Sequence, residues 1–552
     1  MAKVSLRAKR ERFIVNITRK NAFLRTSVDK ARSVRDSVNN VRRKIGYKTA
    51  NKILFWQDRR DNASDLNYFE HMRPFLDAMP GSNGGRFYLP YDVDMGIICD
   101  EFLYNSYKSA ARMHPVTPEN YKNVLEKLDL LLVASAWKGL EGEWTGLGEE
   151  GHPLRAKLFE IIELAKGKNI PVIFYSKEDP PNYKLFLDFA RRCDCVFTSC
   201  AEVMENYKRD CGHDCVDTLC FSINPLYHNP VGLYAYPKDN AVLFAGTWMT
   251  KYPERLADMR VMFDGVLGAG YRLKILDRCF SRFNTRYVFP QKYWKFVSPE
   301  ISHEYLQKVH KLYNWAININ TIKDSATMFA NRVYELQANG NLMISNHSVG
   351  VEKMFPGIFV VDTEEDVIRA LTSLTAEEIF AKQTEGVRRV MTGETCFDRV
   401  GKILRAAGIK ASQPERKVLV FAQNVDFAKK ICENQSYKAG RVEVAALDSL
   451  SDDRIKSYDI IAFMDESENY DSFYLEDMIN GFKYTACDYI TQDPAVRHGY
   501  VGVMKNRNRT VFWQEAFAAD RLASFEGVTE LKNGYSTGRT TSAFNALASH
   551  NS

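Results

Sequence analysis

A series of short runs with continuous apolar centres limits this chain more than anything else in it. "LDLLLVASAW" (Leu128 to Trp137), "IPVIFYSKEDP" and "CDCVFTSC" are too short to cross a membrane and too apolar for a strand with one wet face. A strand that is apolar on both faces must be covered on both faces. That is the situation of a parallel sheet flanked by helices. Between the runs lie stretches with helical spacing, such as "PLRAKLFEIIELAKGKN", which stops at a glycine.

The alternation begins with "KILFW" and "DMGIICD" (Asp94 to Asp100) and continues through the three runs above, marking one doubly wound domain over 51–232. It restarts at "NAVLFAGTW" (Asn240 to Trp248) and passes through "YRLKILD", "NWAININ", "NLMISN" and "GIFVVD", marking a second over 233–412. The turn-rich "HNPVGLYAYPKDN" between them reads as a hinge. A smaller α/β module, 413–552, opens with "VLVFAQN". The expected fold class is α/β: two doubly wound (Rossmann-like) domains facing across a cleft, a smaller C-terminal α/β domain, and a basic N-terminal helical arm over 1–50.

The arm shows in the charge. The 552-residue chain carries +6 overall. Met1 to Lys52 hold 16 Lys/Arg against Glu11, Asp29 and Asp36, a net of +13, which leaves −7 for the rest. Leu24, Val28, Ala31, Val34, Val38, Val41 and Ile45 recur at three- and four-residue steps, so one helix face is apolar. The arm is expected to pack on the body, to pair with a second copy, or to lie on an anionic membrane surface. Nucleic acid is not expected as a partner, because few aromatics are available for stacking. No apolar run reaches the roughly 18 residues of a membrane span, and no secretory signal is evident. The eleven cysteines lack zinc spacing and read as reduced, buried thiols of a cytoplasmic protein.

Ligands of open parallel sheets bind beyond the carboxyl ends of the strands, and this chain's polar residues gather there. Asp100, Glu178 and Asp179 follow first-domain strands and are the candidate catalytic carboxylates, with Glu178 preferred for its loop position before Pro180. In the second domain Gly246, Thr247 and Trp248 end a strand, with Arg255 in reach, a pattern suited to a phosphate. "DSATMFANRVYELQANGNLMISN" places Ser325 and Thr327 ahead of a helix expected to begin near Met328. Arg332 and Glu335 then share one helix face: an arginine for a phosphate, a carboxylate for a pair of sugar hydroxyls.

As a set, these segments resemble the CgeB-like glycosyltransferases of the GT-B fold. The resemblance rests on "LLLVASAWKGLEGEW", "IPVIFYSKEDPPNYKLFLDFARRCDCVFTS", "CFSINPLYHNP", "LFAGTWMTKYPER" and "DSATMFANRVYELQANGNLMISNHSVGVEKMFPG", and covers about 50–410. It implies sugar transfer from a nucleotide diphosphosugar, UDP-linked by expectation, with no metal and no other cofactor required. It places Glu335 at the ribose and Arg332, Ser325 and Thr327 near the diphosphate. The wider group has two acids eight residues apart. Glu335 matches the later one, but Thr327 stands at the earlier, so the stereochemical course stays open. Ala134 stands where the group tends to have another acid. The C-terminal "IIAFMDESENYDSFYLEDMINGFKYTACDYIT" is similar to a degenerate GT-A module, in which Asp465 is a weak metal candidate and Ser467 replaces the second metal-binding aspartate.

These readings predict a glycosyltransferase acting on a hydroxyl of a surface glycan such as teichoic acid or capsule, free or lipid-linked, at the inner face of the plasma membrane. The alternatives are a bifunctional transferase with an active C-terminal module, and a non-catalytic binding or scaffold protein on a transferase fold.

Overall fold

A computed structural model describes residues 55–539 apart from Phe283 and Ala439. The arm over 1–50 lies outside them. The chain divides into two compact units. The larger holds 78–242, 258–271 and the chain from His303 onward; the smaller holds the described residues up to Asp77 together with 243–257 and 272–302.

The apolar runs are the strands of the larger unit's first sheet. Its members are β1 (Tyr91–Ile98), β2 (Ala111–Pro115), β3 (Leu130–Ala134), β4 (Val172–Ser176), β5 (Cys195–Thr198) and β6 (Val216–Thr218). They are ordered β2-β1-β3-β4-β5-β6 and every pairing is parallel. All residues of β3, β4 and β5 are buried, as a strand covered on both faces requires. On one face the helix Pro153–Gly167 packs Leu158, Ile161, Ile162 and Ala165 against Leu131, Val133 and Val172. His152 caps this helix by accepting from the Leu154 N–H, and Pro153 fills its first position. The other face is closed by a helix from far along the chain, Cys396–Ala406. Its Phe397, Val400, Ile403 and Leu404 join Met95, Ile97, Leu132 and Tyr175 in one core.

Strand β7 (Asp239–Gly246) carries the chain from the larger unit into the smaller, where β8 (Arg272–Asp277) pairs in parallel with β9 (Val297–Pro299). The smaller unit is pinned by a buried ion pair, Arg59 to Asp277 at 2.6 Å. Back in the larger unit, β10 (Tyr313–Asn318), β11 (Leu342–Ser345) and β12 (Phe359–Val360) form a second parallel set, with Trp315 opposite Leu342. The helix Arg332–Ala338 is the crossover from β10 to β11. A third sheet is mixed: β13 (Val418–Ala422), β14 (Val442–Ala446), β15 (Ile460–Met464), β16 (Tyr489–Thr491), β17 (Gly499–Met504), β18 (Thr510–Trp513) and β19 (Thr529–Ser536). Its order is β14-β13-β15-β18-β16-β19-β17, with β18 antiparallel to both β15 and β16. The fold is therefore α/β, with Rossmann-like parallel layers and a separate third sheet. Among the described residues no helix is long and apolar enough to cross a membrane.

Three expectations change. Phe55 and Trp56 of "KILFW" open a helix, not a strand, and belong to the smaller unit. The helix expected near Met328 begins at Arg332, because the Ser325 hydroxyl accepts from the N–H groups of Thr327 and Met328 and closes an independent turn first. The cysteines are not all reduced. Val196 and Val216 pair across β5 and β6, which places the Cα atoms of Cys195 and Cys215 4.8 Å apart, and the two are disulfide-bonded.

Leu132 is fully buried at the centre of the first sheet. Leu132→Ala is expected to cost about 3 kcal/mol through lost transfer energy and the cavity left behind. A lowered urea midpoint, followed by tryptophan fluorescence, checks this.

Candidate active site

The carboxyl ends of β1, β3 and β4 bring Asp100, Lys177 and Glu178 together. Asp100 follows β1, and its carboxylate accepts from the backbone N–H groups of Trp137, Lys138 and Gly139, at 3.0 to 3.1 Å. That loop curls tightly enough to need Gly139 at φ 79°, where a Cβ would strike the Glu143 carboxylate. Asp100 also accepts from buried Lys177 at 3.2 Å. With so many donors on it, Asp100 anchors the loop. Asp179 has no solvent exposure. It accepts from the Thr198 hydroxyl at 2.6 Å and the Tyr207 hydroxyl at 3.2 Å. Burial pushes its carboxyl up to about 6, against the pull of those hydroxyls. Glu178 differs from both. Its side chain keeps 28% exposure and a single ion pair, to Lys177 at 3.0 Å. Of the three candidates, only Glu178 combines access with a charged partner.

A second cluster lies beyond the carboxyl end of β10. Glu335, on the helix Arg332–Ala338, is 8% exposed. Its Oε1 accepts from Asn331 Nδ2 at 2.8 Å and faces His303 Nε2 at 3.2 Å and His228 Nε2 at 3.7 Å. Burial alone would raise the Glu335 carboxyl. The hydrogen bond and charge of His303, then the charges of His228 and His310, outweigh it and hold the group down at about 2. His303 is raised above its ordinary value: burial works downward, but Glu335 prevails, helped by the charge of Glu101. His228 and His310 are lowered by burial, to about 4 and about 3. The Tyr227 ring stacks on His303, with centroids 5.7 Å apart. Through Glu101, which follows Asp100 in the chain, the first sheet's strand ends act on the second cluster.

His228, His303 and Asn331 were not anticipated from the sequence. A signal existed for part of this: His303 and His310 stand seven residues apart in "HEYLQKVH", two turns along one helix face. Nothing local links either to His228.

Ser325 and Thr327 are drawn toward the turn after β5. Ser325 Oγ donates to Glu202 at 2.6 Å, and Thr327 Oγ1 donates to the Ser199 carbonyl at 2.9 Å while accepting from the Ala201 N–H. Both hydroxyls are thus engaged with protein. Arg332 opens the helix that carries Glu335, and its charge adds to burial in lowering His310. In the smaller unit, Gly246 ends β7, where a Cβ would meet the Phe244 ring at 2.5 Å. Arg255 donates to the Thr247 carbonyl at 3.0 Å. Burial, then the charge of Arg278, brings Arg255 down to about 10. Arg278 was not anticipated, and it makes this turn a doubly cationic end. Trp248 packs into the interior against Phe289 and Tyr293.

Two places gather donor types that a metal ion uses. One donor atom from each of His228, His303 and Glu335 falls within 4.8 Å of the others, a spacing a divalent ion uses. However, His228 Nδ1 accepts from the Asn224 N–H at 3.3 Å, so the proton of the neutral ring sits on Nε2 and no lone pair faces Glu335. The cluster suits an ion-paired hydrogen-bond network better than a metal. In the third sheet, Asp465 Oδ1 accepts from the Ser467 N–H at 2.9 Å, Glu466 from Asn424, and Glu468 pairs with Arg509 at 2.7 Å and Arg539 at 3.2 Å. Protein donors already occupy this acidic run.

No family model and no curated protein matches the chain. Solved structures with partial likeness include a glycosyltransferase from Rickettsia africae (12% identity, 57% of this chain and 98% of that one, TM-score 0.37). Another is an α-glucosyltransferase in complex with UDP and a 13-mer DNA (11%, 57% and 100%, TM-score 0.39). A third is a sucrose-phosphate synthase from Thermosynechococcus elongatus (11%, 57% and 98%, TM-score 0.36). At such scores the likenesses leave function to this chain's own side chains.

The histidine cluster has a defined pH signature. Glu335 lies below its ordinary 4.5, so its contribution to stability is present above that value and is lost as pH falls toward about 2. His303 lies above its ordinary 6.5, so its contribution is present below that value and is lost as pH rises through the folded one. NMR titration is expected to place His303 above 6.5 in the native protein and below it in Glu335→Gln.

Proposed function

We propose that the protein is a glycosyltransferase that moves a sugar from a nucleotide diphosphosugar to an acceptor hydroxyl. The observation that carries this reading is Glu335: an ionised, nearly buried carboxylate beyond the end of a parallel strand, with its protein donors gathered on one oxygen. The other oxygen suits two vicinal hydroxyls of a ribose. Arg332, at the start of the same helix, suits a phosphate, and Ser325 and Thr327 shape the turn before it. In the smaller unit the Gly246–Trp248 turn, with Arg255 and Arg278, likewise suits an anion.

In the reaction the acceptor oxygen forms a bond to the anomeric carbon, the bond from that carbon to the diphosphate breaks, and the nucleoside diphosphate leaves. The acceptor's proton must pass to a base. Glu178 fills that role in our reading because it is charged and reachable, and Lys177 orients it. Asp100 and Asp179 serve to shape the loop beside it. A metal is not required in this scheme, and the charge on the departing diphosphate falls to arginine. The acceptor is proposed to be a surface glycan or its lipid-linked form, with the basic arm near an anionic membrane or a second copy.

The reading is tested by thermal shift against a panel of nucleotides and nucleotide sugars, with stabilisation expected for one nucleotide diphosphate family. Glu335→Ala and Arg332→Ala are expected to lower donor turnover at least about a hundredfold, and Glu178→Gln to do so without loss of donor binding. Unchanged turnover in Glu335→Ala removes the site. Strong inhibition by a chelator shifts attention to a metal.

A further inference from the structure

The protein contacts of the Glu335 carboxylate are one-sided. Asn331, His303 and His228 all address Oε1, and among the described residues no hydrogen bond falls on Oε2. His303 is itself held between two competing neighbours. Its Nε2 lies 3.2 Å from Glu335 Oε1 and 3.2 Å from Gln307 Nε2. The Gln307 amide is oriented by its oxygen, which accepts from Asn339 Nδ2 at 2.8 Å, so its NH2 group faces the imidazole. One ring nitrogen cannot satisfy both neighbours. With a proton on Nε2 it donates to Glu335 and meets the Gln307 N–H groups unfavourably. Without that proton it accepts from Gln307 and turns a lone pair toward the carboxylate. Nδ1 of the same ring is buried with no partner, so nothing on that side fixes the choice.

We propose that His303 is a positioning residue: when protonated it locks Glu335 through Oε1, leaves Oε2 as the face offered to a pair of ligand hydroxyls, and makes nucleotide-sugar affinity follow the protonation of His303. This rests on the reading of Glu335 as a sugar-hydroxyl ligand. The charged and titratable groups acting on His303 are Glu335 and Glu101, which favour the cation, and Lys108, which opposes it. His228 and His310 lie close enough for their charges to couple with its own. Tyr227 covers the ring face. His303 touches no reacting atom in this scheme.

The test is calorimetric titration of the full chain with UDP-glucose from about pH 5.5 to about pH 8.5, a range that starts below the ordinary histidine value and in which the esterified diphosphate of the ligand does not titrate. Wild type is expected to lose about tenfold in affinity as pH rises through the His303 titration. His303→Gln, which keeps a donor without a titrating ring, is expected to bind with a flat profile, and His303→Ala to be weaker at every pH. Gln307→Met, which removes the competing donor, is expected to carry tight binding to higher pH. A His303→Gln profile as steep as wild type overturns the inference while the sugar-transfer reading stands. Failure of the wild type to bind UDP-glucose, ADP-glucose or GDP-mannose overturns both.

Discussion

Burying both faces of a parallel sheet leaves polar side chains only the strand ends, and this molecule is organised around that constraint. In β3, β4 and β5 every residue is buried, so the first charged groups, Lys177, Glu178 and Asp179 with Asp100 past β1, stand just beyond the strand ends. Buried charges are tolerated there because each has partners. Lys177 is shared by two carboxylates, and Asp100 is surrounded by backbone N–H groups. The same logic recurs beyond β10, where Glu335 is kept ionised by histidines and an asparagine.

The two clusters differ in what they leave unused. Asp100 takes hydrogen bonds from three backbone N–H groups and Lys177, and both oxygens of fully buried Asp179 accept from protein hydroxyls, which makes those residues parts of the scaffold. Glu178 and the Oε2 side of Glu335 are the exceptions. Incomplete satisfaction by protein, and not residue type or strand-end position alone, sets these two carboxylates apart from their neighbours.

How much of this was legible in the sequence follows from the range of the interactions. The runs "LLLVA", "VIFYS" and "CVFT" became strands because continuous apolarity is a local property that admits few alternatives. Glu335 was singled out as a candidate by helical spacing and a family-like motif. Its histidine partners were not, since His228, His303 and Glu335 meet only through tertiary folding. The preference for Glu178 over Asp100 and Asp179 came from its loop position before Pro180, whereas the burial and donor counts that separate the three needed coordinates. The displaced helix start at Arg332 reflects a serine turn whose hydrogen bonds win locally over helix propensity.

The helix Cys396–Ala406 has a consequence for how the chain comes into being. It roofs a sheet whose strands are complete by Thr218, so during synthesis that sheet waits, with only Leu103 and Tyr107 of the local helix beside Leu132 and Tyr175 on this face, until the chain through Ala406 has been made. A message cut before that point yields a first layer lacking its cover, with an oily surface suited to chaperones or to self-association.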